Sequence, residues 1–354
     1  MKKFLVILII LLLVGCKKNE VEVQLDSNEE IKQKEEVKEL TVDDYKNNKV
    51  NELGEVPIMM YHGIHHKYSS ETSYIGGNVD KDGYQRTTEA FINDLEFYYN
   101  EGYRMIRLTD YIDGNIDVEL GKSPIILTFD DGLSNNIKVI GLDENGEIII
   151  DPNSAVGILE SFKTKYPDYN VTATFFVNGG LFEQKEYNEQ ILEWLVDNGY
   201  DVGNHTYSHV DFTKVDSLKT QNEVGKVYEQ LDTIISDKYV NIVALPFGSP
   251  YSLQHANIEY IFNCNYNNNT YKTKSTLRVG WKAESSPFSN EFNSKFLKRI
   301  RAYDNNGQEF DIEMNFNLLK SNRYISDGRI DTIVVPKEYE NMVNSNLTKK
   351  IVIY

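Results

Sequence analysis

The chain has 354 residues and carries 37 Lys and Arg against 54 Asp and Glu, a formal net charge of −17. That balance argues against nucleic-acid binding and gives a soluble, self-repelling surface. The length suits one α/β barrel, which commonly needs about 250 residues or more.

Residues 1–16 carry Lys2 and Lys3 and then an apolar run from Phe4 to Val14, too short for a good membrane span. The run reads as a secretory signal, with an uncleaved anchor as the alternative. Leu13-Val14-Gly15-Cys16 resembles a bacterial lipobox, in which cleavage before the cysteine leaves Cys16 lipidated. The expected location is therefore outside the cytoplasm, anchored to the cell membrane through lipid. With Cys16 modified, Cys264 has no partner for an intrachain disulfide. Residues 17–50 are rich in Lys, Glu, Asp and Asn, with Tyr45 the one aromatic residue. They read as a disordered tether, and residues 51–354 as the folded domain.

Within that domain, Val56 to His62 (V-P-I-M-M-Y-H) has the form of a first strand closed by a polar group. Ala90 to Asn100 is helical in its spacing, and Tyr103 to Leu108 reads as a strand. Ser123 to Gly132 (S-P-I-I-L-T-F-D-D-G) is the organising stretch. Its apolar residues run without alternation, as in a strand buried on both faces of a parallel sheet, and end abruptly in Asp130 and Asp131. A hairpin follows, turning at Asn145-Gly146. As an insertion after a barrel strand, it is expected to stand over the active face. Helices at 155–165, 189–197 and 217–235 alternate with strands at 171–177 and 241–245, and further strands are expected at 276–281 and 331–335. Alternation of this kind indicates a parallel sheet.

His205 and His209 form an H-x-x-x-H pair, a spacing that puts both imidazoles on one side of a tight turn or helix, as a shared metal requires. Two histidines in a polar turn are the bland alternative. In a parallel barrel the strand ends gather on one face, so His62, Asp130, Asp131, His205, His209 and Pro246-Phe247-Gly248 would converge.

T-F-D-D-G at 128–132, H-T-Y-S-H at 205–209 and L-P-F-G at 245–248, in this order, resemble the first three motifs of the polysaccharide deacetylase family, the NodB-like carbohydrate esterases. The resemblance covers roughly residues 56–251. It implies a distorted (β/α) barrel of seven or eight strands and one divalent metal ion, zinc by preference. It also implies hydrolysis of N-acetyl groups on a polymer containing N-acetylglucosamine. Carried over by position, Asp130 becomes the general base, Asp131, His205 and His209 the metal ligands, and Phe247 the donor of a backbone N–H to the developing oxyanion. Two departures stand out. Ala244 replaces the arginine that begins the third motif and steers the base, and no histidine follows His255 to act as the usual C-terminal acid. V-P-I-M-M-Y-H resembles the permuted poly-N-acetylglucosamine deacetylase branch, in which an N-terminal Tyr-His supplies that acid, so His62 takes the role. Tyr207, Tyr251 and Trp281 are expected to wall the sugar site. The enzyme is expected to be a monomer; the alternative is a glycan-binding lipoprotein that keeps the fold without turnover.

Overall fold

A computed structural model describes residues 39–354. The signal segment, Cys16 and most of the expected tether lie outside the described residues. Nine strands position the site: β1 (Ile58–Tyr61), β2 (Tyr103–Met105), β3 (Ser123–Phe129), β4 (Thr174–Val177), β5 (Asp201–Asn204), β6 (Ile242–Ala244), β7 (Ser275–Leu277), β8 (Phe296–Leu297) and β9 (Ile300–Arg301). All pair in parallel, in the order β8-β7-β6-β5-β4-β3-β1-β9, with β2 beside the first half of β3. Eight helices accompany them: α1 (Val42–Asn48), α2 (Thr88–Asn100), α3 (Leu108–Ile112), α4 (Ala155–Lys165), α5 (Asn188–Asp197), α6 (Ser217–Ile235), α7 (Asn257–Phe262) and α8 (Ile312–Asn322).

The sheet curls because its two edges are neighbours in sequence. Only Lys298 and Arg299 separate β8, at one edge, from β9 at the other. Three extended residue steps reach at most about 11 Å, so the edges face each other across a narrow seam. The result is a distorted (β/α) barrel, the fold that the motif resemblance implied, built on the parallel sheet that the strand–helix alternation indicated.

Alternation along each strand divides the core in two. Met59, Tyr61, Ile125, Leu127, Phe129 and Phe175 belong to one apolar cluster, which also takes in α2 and α4 residues such as Phe91 and Leu159. Their neighbours Ile58, Ile126, Phe176, Ile242, Ala244, Leu277 and Leu297 form a second cluster, contributed from around the ring of strands and therefore inside the barrel. All seven residues of β3 are buried, as a strand covered on both faces requires.

One boundary is corrected. The fold begins before position 51: Thr41 caps α1 in a reciprocal capping box with Asp44, and Tyr45 and Val50 are buried with Val334. Tyr45 also rests against Tyr354, ring centroids 5.8 Å apart. The single aromatic residue of that polar stretch is its anchor, so residues 40–50 belong to the domain and not to a tether. The strand expected at 103–108 ends at Met105, since Arg107 turns to pair with Asp201 and α3 starts at Leu108. No helix among the described residues is long and apolar enough to cross a membrane.

Candidate active site

Strand parity aims the first site residues. Ile126 lies inside the barrel, so Thr128 and Asp130 follow it two and four residues on, toward the lumen. In the same way His62 follows Ile58 and Met60. Gly203 precedes His205 on the lumen side of β5; a Cβ there would stand 2.6 Å from the Phe176 ring. His62, Asp130 and His205 are all buried at the C-terminal mouth.

Asp130 is held by a residue no motif had marked. Arg299, in the seam between β8 and β9, donates to both carboxylate oxygens, at 2.7 and 2.6 Å, and to the Thr128 hydroxyl at 3.1 Å. Its remaining Nε–H goes to the Arg278 carbonyl at 2.8 Å. Burial alone would raise the Asp130 pKa, but the Arg299 guanidinium, with help from His205 and His62, holds it well below the usual carboxylate range. The cation missing at Ala244 is thus supplied from another strand edge. Ala244 contributes its backbone instead, its carbonyl lying 2.8 Å from His205 Nδ1.

That last bond fixes the donor role of Nδ1. With Nδ1–H directed at a carbonyl, the neutral His205 ring presents its lone pair at Nε2, which lies 3.3 Å from Asp131 Oδ1. His209 Nε2 lies 3.6 Å from the same oxygen. His205 Nε2 is buried with no hydrogen-bond partner. One donor atom from each of Asp131, His205 and His209 falls within 4.8 Å of the others, the only such group of three or more among the described residues. Against the effect of burial, the Asp130 and Asp131 carboxylates raise the His205 pKa, so this cluster favours a positive charge at its centre, and its donor set fits a divalent ion with nitrogen and oxygen ligands.

The backbone is strained to achieve this. Asp131 (φ 75°), Thr206 (φ 67°), His209 (φ 53°) and Phe247 (φ 58°) all occupy the left-handed region, at a cost of order 1–3 kcal/mol each. Glu223 on α6 offsets part of this cost by holding the turn: its carboxylate accepts the Ser208 N–H at 2.6 Å and hydroxyl at 2.7 Å. The H-T-Y-S-H segment is therefore a clamped turn and not a helix.

A cavity of about 290 Å³ opens above these groups, walled by Tyr84, Gln85, Leu245, Phe247 and Val279. His62 forms part of it, edge-on to Tyr84 with ring centroids 5.0 Å apart. Its Nδ1 is buried without a partner, and burial, opposed by Asp130 and Asp131, holds its pKa below the ordinary imidazole value. Phe247 stands at the mouth, 54% exposed and edge-on to His209 at 4.6 Å.

The expected sugar walls are corrected. Tyr207, Tyr251 and Trp281 are exposed and none lines the cavity. Tyr207 is drawn aside onto Gly179 and lies under Lys226, while Trp281 lies beside Arg278. Tyr84 and Gln85 replace them, from a polar segment with no strand or helix signal of its own. The hairpin, formed by Val139–Leu142 and Ile148–Ile150, leans toward α5, where Gln190 donates to the Gly146 carbonyl, and contributes nothing to the cavity wall.

The polysaccharide deacetylase family model matches residues 117–263. A peptidoglycan-N-acetylglucosamine deacetylase of Bacillus cereus is 31% identical over 113 residues, 32% of this chain and 32% of that protein. The Bacillus subtilis protein YlxY is 30% identical over 70 residues, 20% of this chain and 21% of its own length. The chain thus spans a third or less of these curated relatives. Streptococcus pyogenes deacetylase PplD, solved in complex with acetate, shares the fold at a TM-score of 0.51 and 20% identity, over 74% of this chain and 98% of that one. Residues 117–263 are thus similar to the polysaccharide deacetylase family.

Proposed function

We propose that the protein is a metal-dependent hydrolase that removes N-acetyl groups from an N-acetylglucosamine-containing glycan of the cell envelope or matrix. The observation that carries this reading is an ionised, arginine-held Asp130 beside three converging donor atoms in one cavity. Asp131, His205 and His209 would hold the metal, zinc by preference. What the ion supplies when bound is polarisation of the acetamide carbonyl and a lowered pKa for water.

The remaining chemistry belongs to the chain. Asp130 accepts the proton of the attacking water, and Arg299 fixes the carboxylate's orientation while neutralising its charge. His62, across the cavity, gives a proton to the departing amine. The Phe247 N–H, at the mouth, faces the oxyanion that develops. The rival reading of a binding protein without turnover rested on Ala244, and the presence of Arg299 removes that ground. We also propose that Cys16 carries a lipid anchoring the protein outside the cytoplasm; metabolic labelling with palmitate, lost in Cys16→Ala, tests it.

The decisive experiment is acetate release from N-acetylglucosamine oligomers, before and after removal of metal by a chelator. Turnover that vanishes on chelation and returns with a stoichiometric divalent ion is expected. Turnover indifferent to chelation, or metal retained by the double His205→Ala, His209→Ala protein, would refute this site.

A further inference from the structure

Arg301 ends β9 at the same mouth, and its side chain is engaged only by rings. Its guanidinium lies 3.9 Å from the Tyr303 centroid and 5.0 Å from that of Tyr84. Among the described residues that guanidinium donates no hydrogen bond and forms no ion pair, while the next arginine along the seam, Arg299, spends its donors on Asp130, Thr128 and the Arg278 carbonyl. Tyr84 also walls the catalytic cavity, edge-on to His62. The Arg301 guanidinium therefore stands one ring beyond the catalytic imidazole.

On that side it enters a second cavity of about 290 Å³, bounded also by Tyr74, Ile75, Lys81 and Tyr303. Three carboxylates border the same space, and none reaches Arg301. Asp304 is spent on Arg86 at 3.1 Å and on the Gly77 N–H at 2.8 Å. Glu309 faces Asn305 at 3.4 Å. Asp82 stays beyond ion-pair distance of Arg301. The loop that brings Tyr84 here is built for it. Asp80 accepts the N–H groups of Asp82, Tyr84 and Gln85 at 2.9, 3.2 and 2.6 Å. Gly83, at φ +66°, lets that loop close on Tyr303, where a Cβ would approach the Tyr303 Cβ to 2.6 Å.

A guanidinium oriented by stacking, with its donor fork unspent, matches a carboxylate in geometry and charge. We propose that this cavity is a subsite for a carboxylate-bearing sugar adjoining the N-acetylated residue, so that the preferred substrate is an anionic glycan and not a neutral N-acetylglucosamine polymer. The proposal rests on the deacetylase reading and adds the chemistry of the neighbouring unit. Arg301 donates the fork, while Tyr74 and Ile75, both exposed, offer an apolar wall to the sugar ring.

Three tetrasaccharides test it: all N-acetylglucosamine; N-acetylglucosamine alternating with N-acetylmuramic acid; and N-acetylglucosamine alternating with glucuronic acid. The wild-type protein should favour one carboxylated tetramer over the neutral one, chiefly in KM, and which one identifies a lactyl or a uronic carboxylate. Arg301→Gln should lower kcat/KM on that tetramer about 10- to 100-fold more than on the neutral one, the scale of a lost charge-assisted hydrogen bond. Arg301→Lys should recover part of the difference, since it keeps charge without the fork. Equal treatment of all three by the wild type, or an equal loss on all three in Arg301→Gln, overturns the subsite. If none of the three releases acetate, the deacetylase reading is what fails. NMR titration of the same tetramers then decides the subsite alone: carboxylate-dependent binding that Arg301→Gln abolishes supports it, and its absence overturns it.

Discussion

Two buried carboxylates at opposite ends of the barrel show how the same group is held either charged or neutral. Asp130, at the C-terminal mouth, has both oxygens on Arg299, and its pKa lies well below the ordinary range. Glu52, six residues before β1 at the other end, meets only neutral donors: the Tyr324 hydroxyl at 2.7 Å, the Val334 N–H at 2.7 Å and the Asp327 N–H at 3.4 Å. Burial and the adjacent Asp327 carboxylate push it up to about 8. Burial is similar at the two sites; a cation with the right fork is what separates them. Around Asp130 unpartnered polar atoms remain, His62 Nδ1 and His205 Nε2. Glu52 has no unpartnered atom, and it ties the first residues of the domain to the strand Thr332–Val335.

The largest expected effect sits at the mouth. Asp130→Asn should lower kcat by about 10²–10⁴, the range of a lost general base, with metal content measured by elemental analysis unchanged. Wild-type turnover in a metal-loaded Asp130→Asn protein would remove the assignment.

Next comes the partner. Arg299→Met leaves a buried carboxylate uncompensated and should destabilise the fold by about 3–5 kcal/mol in denaturant unfolding. Adding Asp130→Asn to it should restore most of that stability and none of the turnover. A double variant no more stable than Arg299→Met would mean that the arginine acts by packing alone.

A third prediction concerns protons at the mouth. His62 must be protonated to act as the acid, and its folded pKa is lowered, so its acid form disappears as pH rises through a value below the ordinary 6.5. The alkaline limb of kcat/KM should therefore lie on the acid side of that value, and His62→Ala should abolish the limb while retaining metal. An unaltered profile in His62→Ala would exclude the role.

The smallest effect belongs to the other end, and its sign is opposite to that of Asp130. Between about 4.5 and 8 the folded chain keeps a proton on Glu52 that the unfolded chain has lost, so stability falls as pH rises over that interval and levels above it. Asp130 contributes the reverse: stability present above its unfolded value and lost as pH falls. Glu52→Gln should flatten the decline in Tm between pH 5 and 8. A slope identical to wild type would place the titration elsewhere.

How much of this the sequence carried depends on distance along the chain. The strands closed by His62 and Asp130 were legible because an apolar run ending in a polar residue is a local signal, whereas the short β5 before His205, D-V-G-N, carries no such run and was not among the expected strands. Parity then aims those side chains at the lumen. α4 and α6 occupy the expected spans for the same reason. Arg299 was not legible. It sits in a K-R-I-R-A-Y stretch with the look of a solvated surface, and its partner is 169 residues away. Tyr84 and Gln85 were missed likewise, since a loop pinned by Asp80 to its own backbone shows no periodicity. The expected aromatic walls failed because ring chemistry says nothing about which way a ring faces in a chain with 24 tyrosines.

The seam between β8 and β9 bears on how the protein comes into being. A chain emerging from the ribosome completes the three motifs by Gly248 and has all eight strands β1–β8 behind it before Arg299 is made. Until then Asp130 faces an open edge, and closing so long a loop comes at the end of folding because its entropy is repaid only by the contacts it completes. Charge neutralisation at the mouth and closure of the ring are one event. Nascent or truncated chains ending before position 299 would hold the recognisable motifs and lack the site, which confines the chemistry to molecules that have finished folding.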